Sequence, residues 1–147
     1  MSASSRRIDG LEPIFDHEGL VANAGLIVPA TLMARLGLEA LINQHVRTGS
    51  FLPGRKILTL VAAMLAGATH IDHVNILRAG ATQPVLPFRV MAPSTIGTFL
   101  RSFTFGHTRQ LDAVSSLVLA RAWQLGAGPG DHRLVIDLDS TICEVHG

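Results

Sequence analysis

Two aspartates that lie two positions apart near residue 138 are the side chains best suited to chemistry. Asp137 and Asp139 follow the apolar run at 134–136, which predicts a buried strand. Residues two apart in a strand project to the same side, so the two carboxylates would share one face. Such a pair repels unless protons or a cation intervene, and Mg²⁺ favours carboxylate oxygens. The spacing is equally consistent with an exposed strand end followed by an Asp-Ser turn.

Two longer segments resemble a known family. The stretch VIDLDSTICEVHG, residues 135–147, is similar to the first catalytic motif of DDE-type bacterial insertion-sequence transposases, which have an RNase H-like core. The upstream stretch APSTIGTFLRSFTFGHTRQLD, residues 92–112, resembles the helical region that precedes this motif. The resemblance implies that Asp139 is a catalytic and metal-binding residue and that Asp137 helps to hold the metal.

The same resemblance implies a cofactor, a partner and a limit. In this family three carboxylates are expected to hold two Mg²⁺ ions for in-line displacement at a phosphodiester. The second aspartate and the glutamate lie far downstream of the first, whereas this sequence ends at Gly147. We therefore expect an N-terminal fragment that is inactive alone. Its expected partners are transposon-end DNA and either a full-length transposase or a second copy of this chain.

Two other functions remain open at this stage. The first is a non-catalytic DNA-binding or dimerising module, which could inhibit a full-length enzyme. The second is a fragment of a haloacid-dehalogenase-like phosphatase, because DLDST also satisfies an Asp-x-Asp-x-Thr motif. In that case Asp137 would be the nucleophile and Asp139 the general acid and base. That motif normally begins its domain, whereas here it follows about 130 residues that are mostly helical in pattern.

Six side chains in the middle of the chain are predicted to contact DNA. Pro93 and a capping Ser94 predict a helix whose apolar stripe faces the core. Its other face would offer hydroxyls and a guanidinium to phosphates or bases. The six residues are Thr95, Thr98, Arg101, Ser102, Arg55 and Lys56.

Composition supports a folded domain with a basic middle. The chain of 147 residues is 48% hydrophobic and 16% charged, so extensive disorder is not expected. Residues 53–130 carry seven basic against two acidic side chains, whereas residues 131–147 carry one against four. A basic segment suits a polyanion. The single Cys143 and the lack of a run long enough to cross a membrane favour a cytoplasmic protein without membrane association.

The predicted fold is mainly α, with an N-terminal helical region followed by the first strand of a truncated RNase H-like α/β core. Three regions are expected. Residues 1–52 hold a possible short hairpin around 20–28 and two helices, and residues 53–130 form the helical, DNA-contacting region. Residues 131–147 are the first strand of the catalytic core. Within the middle region, 57–66 reads as a helix buried on all sides, and Thr69 with Asp72 reads as a capping box for a helix over 71–79.

Overall fold

The computed structural model describes residues 19–133 and 135–137, and every regular element within them is helical. The mainly α prediction is confirmed. Five α-helices follow one another along the chain: α1 Ile27–Arg35, α2 Leu38–His45, α3 Pro53–Leu65, α4 Pro93–Arg101 and α5 Phe105–Ala122. Short 3-10 helices lie at Ala24–Leu26, Ile71–Leu77 and Gln83–Val85, and a π-helical turn spans Trp123–Ala127.

The first two helices form where the sequence predicted them, but the hairpin before them does not. Residues 24–26 form a 3-10 turn that leads directly into α1. Pro29 lies in the first turn of α1, where its missing amide hydrogen leaves no helical bond unmade. Gly37 ends α1 with a φ of 63°, a left-handed conformation that glycine adopts without strain. The hairpin prediction was wrong because its second apolar run, 26–28, belongs to a helix.

Helix α3 begins at Pro53, before the predicted start at 57, and it packs tightly against α2. The amide of Gly54 donates to Asn43 Oδ1 at 2.8 Å. A Cβ atom at this glycine would lie 2.6 Å from the carbonyl oxygen of Glu39, so the two helices approach too closely for any side chain. The prediction of complete burial was wrong at the end of the helix, where Met64 and Leu65 are exposed.

Residues 66–92 connect α3 to α4 without a long helix. The predicted helix over 71–79 is a 3-10 helix ending at Leu77, and the predicted capping box is absent. Thr69 Oγ1 instead lies 3.1 Å from the ring of His70, which occupies the position before this helix. The expected loop at 80–92 is confirmed, apart from the single turn at Gln83–Val85.

Helix α4 presents its apolar stripe to the core as predicted. Ile96 and Phe99 are fully buried, although Leu100 is partly exposed. The predicted cap is wrong: Ala92 precedes the helix, Ser94 lies inside its first turn, and no side chain caps its amides.

Two clusters of apolar side chains form the interior. The larger cluster joins α1 and α3 to residues of 74–90, and the smaller one joins α2 to α5 through Leu41, Ile42, Val46 and Val114. Helices α2 and α3 contact each other extensively, and α3 also contacts α4.

The predicted strand is not present at the residues of it that are described. Residues 135–137 adopt no regular structure, and the side chains of Val135 and Ile136 are 80% and 70% exposed. A single strand needs partner strands to satisfy its backbone, and among the described residues there are none. Asp139 and the rest of 138–147 lie outside the described residues, so the RNase H-like core remains a prediction.

Over the described ranges, none of the helices has the length and the apolar composition needed to cross a membrane alone. The pair Ala24–Arg35 and Leu38–His45 reaches both only when the two are counted together across a bend of 56°.

Candidate nucleic-acid-binding face

A polar pocket lies where the first turn of α4 meets α3 and the residues before it. Its volume is about 320 Å³. We call it the lysine pocket, and it is lined by Ser50, Lys56, Ser94, Thr95, Thr98 and Phe99. Three of the six residues predicted to contact DNA, Lys56, Thr95 and Thr98, therefore lie together.

Lys56 is an unusual member of this pocket because it is buried, with only 7% of its surface exposed. Its ammonium donates to Ser50 Oγ at 2.5 Å and to the carbonyl oxygen of Phe51 at 2.7 Å. It also lies 5.3 Å from the centre of the Phe99 ring, a favourable cation–π distance. It forms no ion pair with any carboxylate of the described residues. The buried positive charge is thus stabilised by dipoles and a ring, and it is not neutralised.

The first turn of α4 adds donors to the same pocket. Pro93 has no amide hydrogen, and the amides of Ser94 and Thr95 have no acceptor within the helix. Thr98 Oγ1 donates to the carbonyl oxygen of Ser94 at 3.1 Å and accepts from Arg101 at 3.3 Å. The positive end of the helix dipole favours an anion beside Lys56.

A second depression adjoins the lysine pocket and shares Thr95 with it. It has a volume of about 530 Å³, and we call it the basic cleft. Its lining residues are Phe51, Leu52, Arg55, Arg78, Gln83, Arg89, Val90, Met91, Ala92 and Thr95. Three arginines from three separate segments thus converge on one concave surface, and none of its lining residues is acidic.

The three arginines differ in how far their charge is already used. Arg55 Nε lies 2.9 Å from Glu39 Oε1, so this guanidinium is paired. Arg78 donates to the neutral side chain of Asn75 at 3.1 Å, so no described carboxylate neutralises its charge. Arg89 is exposed, and its side chain forms no hydrogen bond or ion pair with the described residues. Arg78 and Arg89 are therefore the two cations of the cleft that are free to meet phosphate.

The segment that carries Arg89 is held in place from both sides. The side-chain amide of Gln83 donates to the carbonyl oxygen of Phe88 at 3.1 Å and accepts from the amide of Val90 at 2.7 Å. The amide of Met91 donates to the buried hydroxyl of Thr59 on α3 at 3.2 Å. These bonds fix the backbone around Arg89, so that its side chain projects from a supported loop.

The structure brings some of the predicted DNA-binding residues together and separates others. Arg55 and Thr95 line the basic cleft, and Lys56, Thr95 and Thr98 line the lysine pocket. Arg101 is exposed further along α4 and lines neither. Ser102 lies beyond the end of the helix, where its hydroxyl donates to the carbonyl oxygen of Phe99 at 2.6 Å. The hydroxyl of Ser102 is therefore bonded within the chain, and its contact with DNA stays a prediction.

The six predicted DNA-binding residues do not include several members of this face. Arg89 lies between Phe88 and Val90, which are buried with Leu86 at every second position, so this short alternation is the signal that could have marked Arg89 as exposed. Ser50 and Phe51 lie shortly before Pro53, in a segment that reads simply as a break between helices. Their relation to Lys56 depends on the reach of one long side chain, which no spacing rule specifies.

The predicted metal ligands do not form a site among the described residues. Over 19–133 and 135–137, no three His, Cys, Asp or Glu side chains lie together in a manner that could hold a metal ion. Asp137 is exposed, and Asp139 lies outside these ranges. The Mg²⁺ prediction therefore continues to depend on Asp139 and on carboxylates beyond those described.

Comparisons with known proteins do not identify the chain: no family model matches it, and no similar chain is found among curated proteins or solved structures. The geometry of the basic cleft and the lysine pocket is thus the basis for any functional assignment of the described residues.

Proposed function

We propose that the described helical region binds DNA as part of a DDE-type transposase. The observation that carries this proposal is the convergence of Arg78 and Arg89 on the basic cleft, next to the buried charge of Lys56. Guanidinium groups, hydroxyls and helix-terminal amides are the donors that proteins use most often for phosphate oxygens. The motif at 135–147, which resembles the first catalytic motif of these transposases, supports the more specific class.

The face suits a phosphate backbone better than it suits base edges. The start of α4 forms part of the wall of the lysine pocket, so this end of the helix does not project from the surface as a helix that enters a major groove would. A helix-turn-helix reader needs a turn of only a few residues before its recognition helix. Here fifteen residues, 78–92, separate the 3-10 helix that ends at Leu77 from α4, and they contain only the single turn at Gln83–Val85. Contacts to phosphates position a protein on DNA without reading its sequence.

The proposal is tested by the dependence of DNA affinity on salt. Binding of the purified chain to a short duplex should weaken linearly in log–log form as salt rises, with a slope of about −0.9 for each phosphate neutralised. Changing both Arg78 and Arg89 to Ala should make this slope shallower by about 1 for each arginine. The matched control is Arg109→Ala on α5, since Arg109 is exposed and pairs only with Asp112 at 3.7 Å.

The control should leave both affinity and slope unchanged. A chain without salt-dependent DNA affinity at low ionic strength would contradict the proposal. An equal loss in the control would show that general surface charge, and not the basic cleft, attracts DNA.

A non-catalytic DNA-binding module is a second candidate, and one observation favours it. Over the described residues, the basic cleft and the lysine pocket are lined entirely by residues between 50 and 99, and Asp137 lines neither. Selection of bound sequences from a random duplex pool separates the two candidates. A transposase that acts at transposon ends should enrich one sequence, with residues outside the cleft reading it, whereas a generic module should enrich none.

A further inference from the structure

An aromatic side chain is exposed at the edge of the basic cleft. Phe51 lines the cleft and is 82% exposed, the highest value among the large apolar side chains of the described residues. Leu52, Val90 and Met91 line the cleft beside it and give part of its wall an apolar character. The cleft therefore combines guanidinium groups with an aromatic ring and an apolar surface.

The backbone that presents Phe51 is held in a defined position. The carbonyl oxygen of Phe51 accepts from the buried ammonium of Lys56 at 2.7 Å. The next residue, Leu52, has a φ of 51°, the only left-handed conformation of a non-glycine residue among the described residues. Such backbone strain persists only where surrounding contacts impose it, and it is concentrated at binding sites. The exposure of Phe51 is thus a consequence of the fold around Lys56.

This combination of groups matches the chemistry of an unpaired nucleotide. Proteins that bind single strands combine a positive groove for the phosphates with aromatic rings on which bases stack. Within a paired duplex, both faces of each base are covered by its neighbours. A ring at the wall of a cationic cleft can therefore stack only on a base that is unpaired, frayed or displaced from the helix.

We propose that the basic cleft holds an unpaired nucleotide of the bound DNA. Phe51 stacks on its base, and Arg78 and Arg89 lie along the flanking phosphates. The cleft has a volume of about 530 Å³, which lies within the range of sites that enclose a small molecule. This inference rests on the DNA-binding function proposed above and specifies the form of DNA that the site prefers.

The test compares three labelled DNAs of the same sequence by fluorescence anisotropy. One is a fully paired duplex, one is a duplex with a single bulged base, and one is the single strand. The full chain should bind the bulged duplex and the single strand about tenfold more tightly than the paired duplex, as expected for one stacked base. All three measurements are made at one salt concentration, because the phosphate contacts depend on it.

The chain provides a matched control for the ring itself. Phe105 is 81% exposed, almost as much as Phe51, but it lies at the start of α5 and does not line the basic cleft. Phe51→Ala should abolish the preference for unpaired DNA, so that this variant binds the three DNAs with affinities within about twofold of one another. Phe105→Ala should retain the preference, and Phe51→Trp should also retain it, since indole stacks on bases as well as phenyl does.

The possible results are distinguishable from one another. Equal binding of paired and unpaired DNA by the unaltered chain would overturn this inference while leaving the proposed DNA binding intact. The same conclusion follows if Phe105→Ala loses the preference as fully as Phe51→Ala. If the chain binds none of the three DNAs, the proposed function fails, and this inference fails with it.

Discussion

Two groups of arginines, those of the basic cleft and those of α5, use their positive charge differently. On α5, Arg109 lies opposite Asp112, and Arg121 donates to the carbonyl oxygen of Leu36 at 2.8 Å, at the end of α1. In the cleft, Arg78 and Arg89 come from separate segments and converge without a described carboxylate partner.

The difference teaches that the location of a cation decides its role more than the number of cations does. A guanidinium that already binds a carbonyl or a carboxylate contributes to the fold and has little left for a ligand. One that is held over a concave surface without a counter-charge retains its affinity for anions. If this is so, substitutions on the cleft side should change stability and DNA affinity more than matched substitutions on α5.

The largest effect is expected at the start of α3, beneath the cleft. Gly54→Ala should lower the free energy of unfolding by about 3 kcal/mol, near the upper end of the usual cost of overpacking. The added Cβ would lie 2.6 Å from the carbonyl oxygen of Glu39 and 2.9 Å from Asn43 Oδ1. Since these are atoms of α2, the two helices must separate to accept it. Urea denaturation followed by circular dichroism measures the change.

The corresponding glycine on α5 is the control for this prediction. At Gly106, a Cβ atom would meet only Thr104 Oγ1, at an ordinary contact distance of 3.7 Å. Gly106→Ala should therefore stabilise the chain by about 0.5 to 1 kcal/mol, because alanine loses less backbone entropy in a helix. If both substitutions changed the free energy of unfolding in the same direction, the close approach of α2 and α3 would not be the reason for glycine at position 54.

A smaller effect is expected from removing the buried cation. Lys56→Met should lower the free energy of unfolding by about 2 kcal/mol, because the carbonyl oxygen of Phe51 and the hydroxyl oxygen of Ser50 both lose their donor. The segment around Phe51 should also loosen, so chymotrypsin should cleave after Phe51 faster than in the unaltered chain. Cleavage after Phe105, which is similarly exposed, serves as the internal reference. An unchanged ratio of the two cleavage rates would mean that Lys56 does not hold this segment.

Much of the fold could be predicted from the sequence because local signals determine it. Pro29 and Gly37 mark the beginning and the end of α1 in the sequence. The apolar stripe that includes Ile96 and Phe99 identifies the buried side of α4. The errors arose where a residue had two possible uses. Residues 26–28 suit a strand or a helix equally well, and of the three only Leu26 packs into the buried cluster that includes residues of α3.

The candidate site was only partly predictable for a different reason. Thr95, Thr98 and Lys56 were chosen as polar or basic residues, and they do lie around one pocket. Arg89 is held near the cleft by a long-range bond, that of Met91 with Thr59, whereas Phe51 is held by a local bond from Lys56. Neither bond follows from a spacing rule, because each depends on where one particular side chain reaches in the folded chain.

The smallest effects are expected on α5, where the comparison between the two groups of arginines is most direct. Arg121→Ala removes the donor to Leu36 at the end of α1 and should lower the free energy of unfolding by about 1 kcal/mol, since the bond is partly exposed to solvent. Arg109→Ala should change it by less than about 0.5 kcal/mol, as is usual for an exposed ion pair. Neither change should alter DNA affinity by more than about twofold, since neither residue lines the cleft. Thermal unfolding and anisotropy on the same samples measure both quantities, and a larger loss of DNA binding in either variant would place the DNA on α5 and not on the basic cleft.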